Sequence, residues 1–267
     1  MSDIVVPRTK VFFAFEKSLS PVVRVEQNQV VTMETHDCFE GQLKTSSDLL
    51  DQLDWDHINP ATGPVYIEGV RPGDVLRVDI LAMEVGEKSI MVTLPGEGAL
   101  GEMITEMETT LLDNEEGKVT FKGRFSVPAR PMIGVIGVAP ADGSVPNGTP
   151  GQHGGNMDCT LATTGASLYF TVGVEGALFG AGDFHAAMGD GEIVICGAET
   201  PGKFTFRTQV VPQLKGLPTP FIRNKDVVAA VFSAPTIDEA ASKATHAMAE
   251  FLRSEEHTSE LQSRGLI

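Results

Sequence analysis

The chain has 267 residues and a formal net charge of −16, and 42% of it is hydrophobic but only 6% aromatic. That charge excludes nucleic acid and an anionic membrane surface as main partners, and no apolar run reaches the length of a membrane span. The counts of Gly 28 and Pro 16 suit a turn-rich β protein whose core rests on Val, Ile, Leu, Ala and Met.

Residues 4–34 read as strands, with alternation in 22–26 and more loosely in 29–34. Residues 46–60 are polar and irregular, with one turn of helix expected. Gly63-Pro64 reads as a turn and 65–68 as a short strand. In 71–74, Pro72 fixes φ and Gly73 supplies φ > 0, so a turn precedes a strand from Val75 to Glu84. A mixed stretch follows around 103–112. Lys118–Lys122 and Arg124–Val127 alternate as a hairpin around Gly123. The unbroken apolar run 132–139 predicts deep burial. Residues 140–157 read as loop because prolines and glycines crowd them. Strands are expected at 167–172, 192–196, 204–211 and 227–232.

One helix is predicted after Pro235. Thr236 and Glu239 form a capping box, and Ala240, Ala241, Ala244, Met248 and Phe251 recur at helical spacing. The fold class is therefore mainly β with minor α, a single domain over residues 1–252. The run from Arg253 to Ile267 breaks the character of the chain and resembles a translated sequencing adapter, so 253–267 reads as a non-native tail. The start of the chain has no basic region followed by an apolar one. Its three cysteines, Cys38, Cys159 and Cys196, lack metal-finger spacing. Both features lead us to expect a reducing, cytoplasmic location.

Two stretches concentrate ionisable groups among small and apolar residues: 153–159, with His153 and Asp158, and 182–192, with Asp183, His185, Asp190 and Glu192. Such groups are seldom buried unless paired or metal-bound. Asp183 and His185 share a face if extended. Gly154 and Gly155 allow a turn that could bring His153 and Asp158 together, and Asn156 offers an amide beside them. A Gly-rich structural loop is the competing reading. Asp37 ends a strand, as a site residue or as a turn-former; its neighbour His36 points to the other face. Hydrolytic zinc sites take three ligands from His, Asp and Glu, but this spacing is no regular zinc motif. Cys38 and Cys159 each follow an Asp, whose charge raises a thiol pKa, so a thiol nucleophile is the weaker alternative. Trp55, His57 and His246 read as packing or surface residues.

The segments 130–140, 150–158 and 176–192, with 59–69 and 72–76 upstream, closely resemble the acetamidase/formamidase family over roughly residues 20–250. The resemblance implies a β-rich fold and hydrolysis of a short amide, with some relatives acting on γ-lactams and depending on zinc. Carried over, it makes Asp37, His153, Asp158, His185 and Glu192 the site candidates. The expectation is then a metal-dependent amidase acting on a small linear or cyclic amide. Asp37, Asp158 and His185 would hold a divalent metal, zinc in the first instance. Glu192 would be general base, and His153 a ligand or oxyanion donor. Asn156, Met157 and Phe184 would line the substrate, and a homodimer is expected. The alternatives are a cysteine-nucleophile amidase without metal and a non-catalytic β protein that binds a small molecule or ion.

Overall fold

The computed structural model describes residues 4–212 and 216–253. Among them, strands build two large sheets, and one α-helix closes the chain. The seven-stranded sheet runs, edge to edge, Ile4–Val6, Val30–Thr35, Gly202–Val211, Val75–Val85, Ser167–Thr171, Phe221–Arg223, Val228–Ala230. The eleven-stranded sheet has Phe179–His185 near its middle, paired with Met132–Gly137, Glu199–Thr200 and Ala61–Ile67. Beyond Glu199–Thr200 it continues through Lys88–Thr93 and Glu108–Glu115 to the predicted hairpin, Lys118–Phe121 with Phe125–Pro128.

The two sheets pack face to face because each presents one apolar side. Val31, Met33, Phe204 and Phe206 of the first sheet meet Val65, Ile67, Phe179 and Phe184 of the second in one continuous core. Alternation, as in Gly202–Val211, sends every second side chain inward. Phe204 stacks on Phe206 at 4.9 Å between ring centres and lies tilted against Phe179 at 6.5 Å. The expected mainly β class with minor α is therefore the fold, built as a sandwich of two sheets.

The helix Ile237–Arg253 begins where the capping box places it, with the Glu239 N–H donating to Thr236 Oγ1 at 3.3 Å. Phe251 and Met248 seat it on Tyr169 and Phe221 of the seven-stranded sheet. No helix among the described residues is long and apolar enough to cross a membrane. Beyond Arg253, the tail lies outside the described residues.

Several local expectations are corrected. Gly63-Pro64 is no turn; it lies inside the strand Ala61–Ile67, where a Cβ on Gly63 would sit 2.9 Å from the Phe179 carbonyl oxygen. The expected loop 140–157 contains the short strands Ser144–Pro146 and Gly154–Asn156. The expected strand 192–196 is an irregular loop, because Glu192 and Ile195 take φ of 41° and 78°. Residues 46–60 hold two 3-10 turns, Leu50–Gln52 and Trp55–His57.

The aromatic stack carries a direct expectation. Phe204→Ala should lower unfolding free energy by about 3–5 kcal/mol, read from urea denaturation, because a fully buried ring leaves a cavity.

Candidate active site

The site grows from the last residues of the strand Phe179–His185, all seven of which are buried. The antiparallel register with Met132–Gly137 pairs Ile133 with Phe184 and Val135 with Gly182, so the ladder skips Gly134 and Asp183. Asp183 takes a φ of 57° there, a left-handed conformation costing about 1–2 kcal/mol for a residue with a Cβ. Gly134 is what makes room. A Cβ on it would lie 2.4 Å from Asp158 Oδ1 and 2.5 Å from Asp183 Oδ2.

His185 is the centre. Its Nε2 lies 3.1 Å from Glu199 Oε1, 3.3 Å from Asp183 Oδ1 and 3.9 Å from Asp158 Oδ1. Its Nδ1 faces Met188 Sδ at 3.1 Å and Glu192 Oε1 at 4.0 Å. Four carboxylates thus surround one imidazole, and among the described residues no lysine or arginine lines the cavity they share with Cys38, Phe39, Asn156 and Cys196.

Such crowding of like charge out of water has direct electrostatic effects. Burial first, then the Asp183 charge, pushes Asp158 up to about 9. Burial likewise pushes Glu199 up to about 8, against the lowering influence of His185. Burial also raises Glu192. Burial alone would lower His185, but Glu199 and Asp183 outweigh it and hold the imidazole well above its ordinary value. Asp158 Oδ1 and Glu199 Oε2 are buried without a hydrogen-bond partner. Unpaired buried oxygens on already crowded carboxylates mark a place for a cation. Two donor groups fit one: Asp158, His185 and Glu192, and Cys38, Asp183 and Glu199, each with ligand atoms within 4.8 Å of one another.

The expected residues divide. Asp158, His185 and Glu192 come together, and Asn156 joins them at the cavity wall with its Oδ1 buried and unpartnered. Met157 and Phe184 instead face the sandwich core, because each lies between two residues that face the site and alternation turns it away. Asp37 does not enter either donor group. Its Oδ1 accepts the N–H of Phe39 at 2.9 Å and of Gly41 at 3.1 Å, the turn-forming reading. The next residue, Cys38, is the one that reaches Asp183 and Glu199. His153 lines a different cavity, beside Pro140 and Thr219, with its ring edge-on to Phe15 at 5.2 Å and its Nε2 unpartnered. Asp190 is an exposed acceptor for Thr160 Oγ1.

Glu199 is the residue that the sequence reading missed. It follows Ala198 in a two-residue strand, and its Oε1 accepts the Gly197 N–H at 3.0 Å. An acid directly after Gly197 and Ala198 in a buried stretch was the available signal, though nothing in the spacing linked it to His185.

Fold and cavity together define a class: a two-sheet β protein whose central strand carries a buried cluster of acids and imidazole. The chain belongs to the acetamidase/formamidase family, whose profile matches residues 8–149 and 144–250. Its backbone is similar to that of an acetamidase from Bacillus halodurans, with a TM-score of 0.91 and 40% identity, covering 93% of this chain and 84% of that one. It is also similar to a predicted acetamidase/formamidase from Thermoanaerobacter tengcongensis, with a TM-score of 0.89 and 42% identity, covering 98% of this chain and 88% of that one. A formamidase from Methylophilus methylotrophus is 25% identical over 241 residues, 67% of this chain and 58% of that protein. The matched region thus spans about three fifths of the length of its formamidase relatives.

Two outcomes follow from this geometry. Gly134→Ala displaces Asp158 and Asp183, so any affinity of this cluster for a divalent cation, probed with zinc against a chromogenic chelator, should fall at least about tenfold, since loss of ligand orientation has effects of that order. The raised Asp158, Glu199 and His185 all bind protons more tightly folded than unfolded, so their stabilisation is complete at low pH and lost as pH rises through the folded values. Melting temperatures of metal-free protein should therefore fall between about pH 5 and pH 9, and added zinc should raise them more at the upper end.

Proposed function

We propose that the protein hydrolyses the C–N bond of a short linear or cyclic amide, giving a carboxylate and ammonia or an amine, with a divalent metal, zinc in the first instance. The observation that carries the metal is the set of unpartnered buried oxygens on Asp158 and Glu199 beside the gap at Gly134. Oxygen, imidazole and thiol donors in one cluster suit zinc better than magnesium or calcium. We assign its holding to Asp158, Asp183, Glu199 and the Nε2 face of His185, with Cys38 within reach of Asp183 and Glu199. A bound cation would supply a Lewis acid for the carbonyl and bring a water's pKa towards neutrality.

The chain's own groups do the rest. Glu192 faces the other ring nitrogen and is raised above its ordinary value by burial, which makes its carboxylate a better proton acceptor. It takes the proton as the water oxygen bonds to the carbonyl carbon. It then delivers that proton to the nitrogen as the C–N bond breaks, because an amine leaves poorly unprotonated. Asn156, in the cavity wall, supports a role in hydrogen-bonding the substrate amide. The position of His153 in another cavity argues against its use as an oxyanion donor here. The volume of about 200 Å³ favours a small, uncharged amide head.

A cysteine nucleophile fares worse. Burial first, then Glu199 and Asp183, pushes the Cys38 thiol well up, and burial also raises Cys159, the opposite of an activated thiol. The homodimer is retained as a proposal, supported by the exposed Phe125, Val127 and Ile193 around one apolar groove.

Ammonia release from formamide, acetamide and a γ-lactam tests the reading, before and after chelation and zinc return. Glu192→Gln should lower kcat by about 10²–10⁴-fold, the usual contribution of proton transfer, with zinc content unchanged. A variant that stays fully active, or loses zinc in parallel with activity, would remove Glu192 from the role of base. No release from any amide, with the protein folded, would leave an ion-binding β protein.

A further inference from the structure

Trp55 is the single tryptophan of the chain and is 62% exposed. A lone exposed apolar residue is ordinary. This one is not alone, because it lines the cavity that holds Asp158, Asp183, Glu192 and Glu199. Leu50, Phe39, Ile58 and Ile195 line the same cavity, so acidic and apolar side chains share its wall.

The ring sits on a braced support. The 3-10 turn Trp55–His57 is capped by the Asp54 side chain, which accepts the Asp56 N–H at 3.1 Å. The Gln42 amide accepts the Asp54 N–H at 2.9 Å and donates to the His57 carbonyl at 3.1 Å. His57 Nδ1 lies 2.8 Å from Glu40 Oε2, and the Asn59 N–H donates to the Cys38 carbonyl at 2.7 Å. The turn is thus tied to the segment that carries Cys38 and Phe39 into the same cavity. With the backbone fixed this way, only the two side-chain torsions of Trp55 remain to be ordered on contact with a ligand.

Volume then decides what meets it. A cavity of about 200 Å³ equals roughly seven water volumes, room for an amide head and a modest substituent. A substituent on an amide held at the acidic residues would meet the apolar ones, Trp55 among them. We propose that Trp55 is a specificity-determining platform that packs against an apolar, planar or branched substituent on the substrate, so that the protein prefers aryl or alkyl amides over formamide. The proposal rests on the amide-hydrolase reading above.

The test compares benzamide with formamide on wild type, Trp55→Ala and Trp55→Phe. Trp55→Ala should raise KM for benzamide roughly five- to tenfold, the value of an aromatic contact, with formamide KM within about twofold and kcat largely kept. Trp55→Phe should restore benzamide KM. In wild type, intrinsic fluorescence reports Trp55 alone and should change saturably with benzamide, but not with formamide. Equal effects of Trp55→Ala on both amides, no effect on either, or silent fluorescence would overturn the proposal. So would emission that shifts with protein concentration, which would mean a second copy covers the ring. If neither amide is hydrolysed, the amidase reading fails by itself, and the benzamide fluorescence titration still decides whether Trp55 binds an apolar amide.

Discussion

Crowding of like charge around His185 is the constraint to which the neighbouring backbone conforms. Asp158, Asp183, Glu192 and Glu199 all approach one buried ring, and three of the four sit on residues of positive φ. Left-handed aspartate and glutamate cost stability and persist where the surroundings over-determine them. Here the surroundings are the middle of an eleven-stranded sheet. The strand Phe179–His185 is held on both sides, so its last residues can depart from regular pleating without loosening the sandwich. The glycine opposite completes the arrangement by leaving space that any side chain would fill.

A site of this kind stores repulsion that a cation relieves. The protons held by Asp158 and Glu199 above neutral pH do the same work in a cruder way, since each neutralises one carboxylate and orients nothing. A shared cation neutralises several and fixes their directions. On the function proposed above, proton and metal compete for the same oxygens, while Glu192, on the loop side of the ring, keeps a different task. That division between a held set and a proton carrier would serve amide hydrolysis.

Much of this was legible in the chain, and the failures have physical causes. Strands with one face in the core, such as Gly202–Val211, announce themselves by alternation. Phe179–His185 does not, because it is buried on both faces and three of its seven residues are glycine or alanine, so period-two contrast vanishes. Residues 192–196 mislead in the opposite sense: a β-branched run looks like a strand, but the backbone at Glu192 and Ile195 turns it into a loop. Alternation also explains why one-residue errors matter so much. Asp37 was the expected ligand and Cys38 is the residue that arrives; Met157 and Phe184 were expected walls and Asn156, Asp158, Asp183 and His185 are the ones that face the site. Glu199 could not be linked to His185 by spacing at all, because a sheet pairing joins them.

That pairing has a consequence for how the protein comes into being. The cluster draws on Cys38, Asp158, the 183–185 strand end, Glu192 and Glu199. Asp183, His185 and Glu199 lie on two successive antiparallel strands, and Glu192 on the loop that joins them, so one stretch of chain can bring these four together by itself. Cys38 and Asp158 come from earlier segments, and contacts distant in sequence form late in β-rich chains. The growing chain therefore holds most of the acids side by side before the sandwich closes over them.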